Sequence, residues 1–111
     1  MRDLTASEAQ NLIKQQNNQN FYILDVRTLD EFNKGHIPGA ILETYGPDFQ
    51  SNIQTFNKNA VYLIYCHSGA RSMNAAREMS QLGFKNLNML SGGIIAWNIE
   101  GLPVSNPTVT D

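Results

Sequence analysis

Residues 61–72 read VYLIYCHSGARS, and this stretch decides the fold. Its first five residues form an apolar, β-rich run, which is typical of a strand buried on both faces of a parallel sheet. Apolar residues then recur at helical spacing from Ala75 to Leu82, and Gly83 is a helix stop signal. The stretch therefore predicts a strand, a short loop and a helix, the unit from which α/β folds are built.

The rest of the chain repeats this alternation of strands and helices. Residues 21–26 (FYILDV) have the same pattern of a buried strand. Weaker patterns predict two further strands and three further helices: strands at 41–42 and 87–90, and helices after Thr5, at 49–56 and around Trp97. The expected fold is α/β with a mostly parallel sheet.

Composition and charge limit the possible functions of this chain. It has 111 residues, of which 41% are hydrophobic and 16% charged, so we expect one folded domain. A formal charge of −2 argues against nucleic acid or a polybasic membrane contact as partners. The sequence contains neither an apolar leader nor an apolar stretch of about 20 residues, so we expect a cytoplasmic protein.

Cys66 is the only cysteine, and its place in the sequence favours chemistry. One cysteine can form no internal disulfide, and no Cys/His cluster accompanies it, so we expect neither a metal nor a cofactor. It follows a buried strand, where ligands gather in open α/β sheets. The amides of the loop, assisted by Gly69, can point inward around the sulfur.

Such a loop would activate the thiol. A free cysteine with a pKa near 8.5 is only about 3% thiolate at pH 7. A helix N-terminus and a nearby cation such as Arg71 could lower the pKa by about two units, or roughly 2.7 kcal/mol. The alternative is that Cys66 is a small apolar residue at the end of a core strand. The loop, its glycine and Arg71 together favour the nucleophile.

The sequence resembles the rhodanese-like family of sulfurtransferases over nearly its whole length. Five short motifs carry the resemblance in order: LDVR at 24–27 with Glu31-Phe32, GHIPGA at 35–40, CHSGAR at 66–71, Ser91-Gly92-Gly93 with Trp97, and GLP at 101–103. The resemblance implies about five mostly parallel strands with helices on both faces. From the sequence pattern we expect the domain to span 1–104 and 105–111 to be a loose tail.

The resemblance also implies an activity. Cys66 would take a sulfane sulfur from a small anionic donor such as thiosulfate or polysulfide and become a persulfide. It would then pass the sulfur to cyanide, a thiol or a partner protein. The loop that binds the anion consists of His67, Ser68, Gly69, Ala70, Arg71 and Ser72.

The remaining polar residues have supporting roles in this interpretation. Arg71 either steers an anionic donor or binds an acidic side chain and braces the loop. Arg27 is a possible substrate contact, whereas Asp25 and Glu31 belong to a structural polar network around the loop. We also expect His36 to be structural, bonding to backbone.

Two other functions remain open. The first is a non-enzymatic sulfur-carrier or partner-docking module of the same family. The second, less favoured, is a cysteine-dependent phosphatase or arsenate reductase, whose loops resemble Cys-x5-Arg. Here four residues separate Cys66 from Arg71, which implies a smaller pocket suited to a sulfur atom. We expect a monomer or a weak homodimer.

Overall fold

The computed structural model describes residues 1–16 and 20–106. Its strands are β1 (Arg2–Leu4), β2 (Phe21–Asp25), β3 (Ile41–Leu42), β4 (Val61–Tyr65) and β5 (Asn86–Leu90). Its helices are α1 (Ala6–Gln15), α2 (Leu29–Asn33), α3 (Phe49–Ile53), α4 (Ala70–Gln81) and α5 (Gly93–Ile99). None of these helices is both long enough and apolar enough to cross a membrane.

The five strands form one sheet in the order β1-β5-β4-β2-β3, and every neighbouring pair is parallel. Ile64 of β4 lies between Leu24 of β2 and Met89 of β5. The predicted α/β class and the five-stranded parallel sheet are confirmed. The carboxyl ends of β2 and β4, at Asp25 and Tyr65, therefore lie side by side.

Helices cover both faces of this sheet, as predicted. Because side chains alternate along a strand, Tyr62 and Ile64 face one core, and Leu63 and Tyr65 face the other. Helices α3 and α4 pack on the first face, and α1 and α5 pack on the second. Each fully buried aliphatic side chain contributes roughly 1.5–3 kcal/mol, so β4, buried on both faces, is a stable base for the loop that follows it.

Two elements were not predicted. Strand β1 has three residues, of which only Leu4 is buried, so it is too short to show a pattern. It forms by pairing with β5, a contact distant in sequence. Helix α2 has five residues, but Thr28 and Glu31 form a capping box that the sequence does display.

The expected tail is ordered at its first residue. Ser105 and His36 exchange two backbone hydrogen bonds, of 2.9 and 2.7 Å, in an isolated antiparallel bridge. The chain therefore remains attached to the domain beyond residue 104, because the bridge holds Ser105 against the loop that precedes β3. The end of the expected tail, 107–111, lies outside the described residues.

Candidate active site

Cys66 lies directly after β4 and is only 1% exposed. Its Sγ accepts hydrogen bonds from the amides of Gly69, at 3.1 Å, and Ser72, at 3.3 Å. Sγ also lies 3.5 Å from the hydroxyl oxygen of Ser72. The loop therefore wraps around the sulfur, as its position after a buried strand predicts.

The surroundings of Cys66 favour its charged form. Burial acts to raise the pKa of the thiol, because a charge is poorly solvated inside a protein. The hydroxyl of Ser72 and the amides of Ser72, Gly69 and Arg71 act in the opposite direction and outweigh burial. The pKa of Cys66 consequently lies below its ordinary value, which increases the thiolate fraction near neutral pH.

Gly69 allows the tight turn that brings the loop amides onto the sulfur. Its φ of +124° lies where residues with a side chain are strained. The carbonyl of Gly69 accepts from the Ser72 hydroxyl, at 3.0 Å, and from the amide of Met73, at 3.1 Å. Helix α4 begins immediately afterwards, at Ala70, so the loop continues directly into its first turn.

The beginning of α5 fixes the other side of the loop. The amide of Ile94 donates to the carbonyl of Cys66, at 2.9 Å, and the amide of Ile95 donates to that of His67, at 3.3 Å. A Cβ added at Gly93 would lie 2.3 Å from the carbonyl oxygen of His67. Gly93 therefore permits a backbone approach that no other residue allows. The sequence shows the Ser91-Gly92-Gly93 motif but does not predict this contact, because it joins distant parts of the chain.

Arg71 is bound to Glu31 of α2 by two parallel hydrogen bonds, of 2.8 and 2.9 Å. Two roles were expected for Arg71: steering an anionic donor, or binding an acidic side chain and bracing the loop. These contacts correspond to the second role. The ion pair with Arg71, opposed in part by burial, lowers the pKa of Glu31 to about 2. Thr28 adds two bonds to the same carboxylate, so α2 anchors the active-site loop through this pair.

A second ion pair, between Arg27 and Asp25, is more deeply buried than the first. The guanidinium of Arg27 donates to both carboxylate oxygens of Asp25, at 2.7–3.1 Å, and to the carbonyl of Gly35, at 2.7 Å. The hydroxyl of Tyr65 also donates to Asp25, at 2.7 Å. The Asp25 and Glu31 of the predicted network thus bind two different arginines. The sequence did not predict that Tyr65 belongs to this polar network, because Tyr65 ends an apolar strand.

The other predicted residues lie around this frame. His36 is buried, stacks on Phe32 and donates from Nδ1 to the carbonyl of Phe32, at 3.0 Å, which accords with a structural role. The side chains of His67, Ser68 and Ala70 are exposed at the loop surface. These three are the loop positions that an incoming molecule meets first.

Two cavities are lined in part by residues of the loop. One, of about 250 Å³, is lined by Ser68, Gly69 and Ser72 of the loop together with Asp3, Ser91 and Gly92. The other, which we call the His67 cavity, has about 370 Å³ and is lined by Arg27, Glu31, Lys34, His67, Ile94 and Asn98, with Gly35 and Val104. Both cavities therefore border the loop that follows Cys66.

The site has what a cysteine nucleophile requires. Its thiol has a lowered pKa, and amide donors surround the sulfur that would carry negative charge. Across residues 1–16 and 20–106, no three His, Cys, Asp or Glu side chains meet in a way that could hold a metal ion. Fold and site together define a parallel α/β protein with a thiolate loop at the carboxyl edge of its sheet.

Comparison with known proteins identifies the family. The rhodanese-like domain matches residues 5–100. A sulfurtransferase of Allochromatium vinosum is 38% identical over 85 residues, covering 77% of this chain and 78% of that protein. YrkF of Bacillus subtilis, whose name proposes a sulfur carrier, is 37% identical over 84 residues, covering 76% of this chain and 45% of YrkF.

A solved structure agrees in fold. The crystal structure of a rhodanese-related protein from Thermoplasma volcanium superposes with a TM-score of 0.81 at 30% identity, covering 95% of this chain and 98% of that one. The chain belongs to the rhodanese-like family of sulfurtransferases and sulfur carriers.

Proposed function

We propose that this protein is a sulfurtransferase that carries a sulfane sulfur as a persulfide on Cys66. The donor is a small sulfur-containing anion such as thiosulfate or polysulfide, and the acceptor is cyanide, a thiol or a partner protein. The observation that carries the proposal is the hydrogen bonding of Cys66 Sγ to the amides of Gly69 and Ser72. Such donors stabilise a negative charge on sulfur before and after transfer.

The reaction proceeds in two displacements. The Cys66 thiolate attacks the outer sulfur of thiosulfate, the sulfur–sulfur bond of the donor breaks, and sulfite leaves with the bonding electrons. Cys66 then carries a persulfide anion. Cyanide attacks the outer sulfur, thiocyanate leaves, and the Cys66 thiolate is restored. The total charge is unchanged in each step, so neither displacement requires an oxidant or a reductant.

The two ion pairs support this chemistry from outside the reacting atoms. Arg71 and Glu31 brace the loop from α2, while Arg27 and Asp25 hold the loop around Gly35. Arg27 also lines the His67 cavity, so its guanidinium can contact a bound substrate there while remaining paired with Asp25. We assign Arg27 this combined role, whereas Arg71 acts as a positioning residue.

Thiocyanate formation from thiosulfate and cyanide tests the proposal. The native protein is expected to turn over with Cys66 as its nucleophile, and a Cys66→Ala variant to produce thiocyanate only at the uncatalysed rate. Cys66 packs in the core, so the variant's circular dichroism must first show that it is folded. Equal rates for the two folded proteins would remove Cys66 from the mechanism.

A second candidate is a sulfur carrier, which the likeness to YrkF favours. A carrier would accept sulfur on Cys66 but release it slowly to small acceptors, because its acceptor is a protein. One released sulfur per protein molecule in the thiocyanate assay indicates a carrier, whereas many released sulfurs per molecule indicate an enzyme.

A further inference from the structure

The His67 cavity has the size of a site for an organic molecule. Its volume of about 370 Å³ lies within the range of roughly 300–1,000 Å³ that small organic ligands occupy. Thiosulfate, with five atoms, would leave much of it unfilled. Ile94 and Val104 provide apolar wall, and Asn98 provides an amide, so its lining suits a carbon skeleton with polar groups.

The charges around this cavity are largely cancelled in pairs. Arg27 is bound to Asp25, and the carboxylate of Glu31 is bound to the guanidinium of Arg71. Lys34 differs from these residues. Its side chain forms no ion pair with any residue in the described ranges 1–16 and 20–106. An uncompensated positive charge therefore lies at the wall of the cavity.

The backbone that carries Lys34 is held in place. Lys34 is the C-cap residue that directly follows α2, and its amide donates to the carbonyls of Glu31 and Phe32. The carbonyl of the next residue, Gly35, accepts the hydrogen bond of 2.7 Å from Arg27. The cavity reaches the backbone next to Cys66, since it includes His67, the residue after Cys66, and Ile94, whose amide donates to the carbonyl of Cys66.

From this arrangement we infer that Lys34 is a specificity-determining residue, which binds the carboxylate of an organic persulfide donor lodged in the His67 cavity. The inference rests on the proposed function and names the class of donor. The Cys66 thiolate attacks the outer sulfur of the donor R–S–SH, and the sulfur–sulfur bond of the donor breaks. The thiolate R–S⁻ leaves with the bonding electrons, and Cys66 holds the transferred sulfur with its proton.

Two donors that differ only in charge test this inference. The persulfides of N-acetylcysteine and N-acetylcysteinamide share one skeleton, but the first has a carboxylate where the second has an amide. The rate of persulfide formation on Cys66 is measured by quenched mass spectrometry for the native protein, Lys34→Gln, Lys34→Glu and Lys85→Gln. Lys85 is the matched control. It is exposed and directly precedes β5, so it lies at the amino ends of the parallel strands, whereas Cys66 follows the carboxyl end of β4.

The native protein and Lys85→Gln are expected to prefer the carboxylate donor by about fivefold, the strength of a good exposed ion pair. Lys34→Gln should abolish this preference by slowing only the carboxylate donor, and Lys34→Glu should reverse it. Raising the salt concentration from about 0.05 to 0.5 M should reduce the preference of the native protein, because salt screens exposed charges.

The outcomes separate this inference from the proposed function. A Lys34→Gln protein that retains the native preference overturns the inference, and so does an equal loss of preference in Lys85→Gln, which would indicate a general effect of net charge. In both cases persulfide still forms on Cys66, and the proposed function stands. If neither these donors nor thiosulfate loads Cys66 of the folded native protein, the proposed function fails and the inference fails with it.

Discussion

Replacing Gly93 with alanine would disturb the loop from the side of α5. The added Cβ would lie 2.3 Å from the carbonyl oxygen of His67 and 2.6 Å from that of Cys66, and both atoms belong to the backbone. Ordinary van der Waals contacts of a Cβ begin at 3.4 Å. Either the Cys66–His67 peptide or the first turn of α5 must therefore move by about 1 Å.

Two effects contribute to the loss of stability. The left-handed conformation of Gly93, with φ of +61°, costs a residue with a side chain about 1–2 kcal/mol. Forcing an extra carbon into a filled space adds about 1–3 kcal/mol. Gly101 separates these effects, because its φ of +68° is similar but a Cβ there would meet nothing within 4 Å. We expect a loss of about 2–5 kcal/mol for Gly93→Ala and of about 1–2 kcal/mol for Gly101→Ala.

Urea unfolding, followed by the fluorescence of the buried Trp97, measures both free energies. Thiocyanate formation measures the effect on the loop, and a displacement of about 1 Å can reduce kcat/KM roughly 100-fold. Gly93→Ala should show that loss under conditions where it is folded, whereas Gly101→Ala should keep native activity. If the two variants were equal in both stability and activity, the proposed packing of α5 on the loop would be refuted.

Three further predictions concern the hydrogen bonds and charges of the site. Ser72→Ala should raise the pKa of Cys66, because it removes the hydroxyl that lies against Sγ and helps to lower that pKa, so the pH profile of thiol alkylation should shift to higher pH. Glu31→Gln should make stability less dependent on pH in acid. The pKa of Glu31 is lowered to about 2, so the contribution of Glu31 to the free energy of unfolding is complete above its unfolded pKa of about 4.3 and is lost as pH falls towards 2. The free energies of unfolding of the native protein and the variant, measured in urea, should therefore converge over this interval. Asp25→Asn should cost about 3–5 kcal/mol in the same measurement, because it leaves the buried charge of Arg27 without its partner.

Each of these variants has an exposed counterpart as a control. Ser68→Ala removes an exposed hydroxyl but keeps the Ser72 hydroxyl beside Sγ, and should leave the alkylation profile unchanged. Glu100→Gln changes the same charge at an exposed position and should retain the native dependence on pH. Asp48→Asn alters a helix cap that makes no side-chain hydrogen bond, so it should cost little. Matching effects in a variant and its control would contradict the role assigned to the buried or paired residue.

The local sequence predicted the elements that carry an apolar pattern. Strand β4 has five apolar residues in succession, and α1 begins with the Thr5–Glu8 capping box that the structure contains. β1 could not be predicted in this way, because its stability comes from pairing with β5 about 85 residues later. Short elements of this kind depend on tertiary contacts, which a local pattern does not encode.

The same distinction applies to the site. The position of Cys66 and its glycine-containing loop followed from residues adjacent in sequence. The partner of Arg71 did not, because Glu31 lies 40 residues earlier and two roles for the arginine were equally consistent with the sequence. Lys34 was not singled out at all. It becomes noticeable only when the structure shows that the neighbouring charges are paired.

The most direct test of the central claim is the mass of the protein after exposure to thiosulfate without an acceptor. We predict that the peptide containing Cys66 gains the mass of one sulfur atom, and that cyanide removes this mass with formation of thiocyanate. Reversal by cyanide distinguishes sulfur from two oxygen atoms of similar total mass. A folded protein whose Cys66 peptide stays unmodified, or a Cys66→Ser variant that gains the same mass, would contradict the assignment of Cys66 as the residue that carries sulfur.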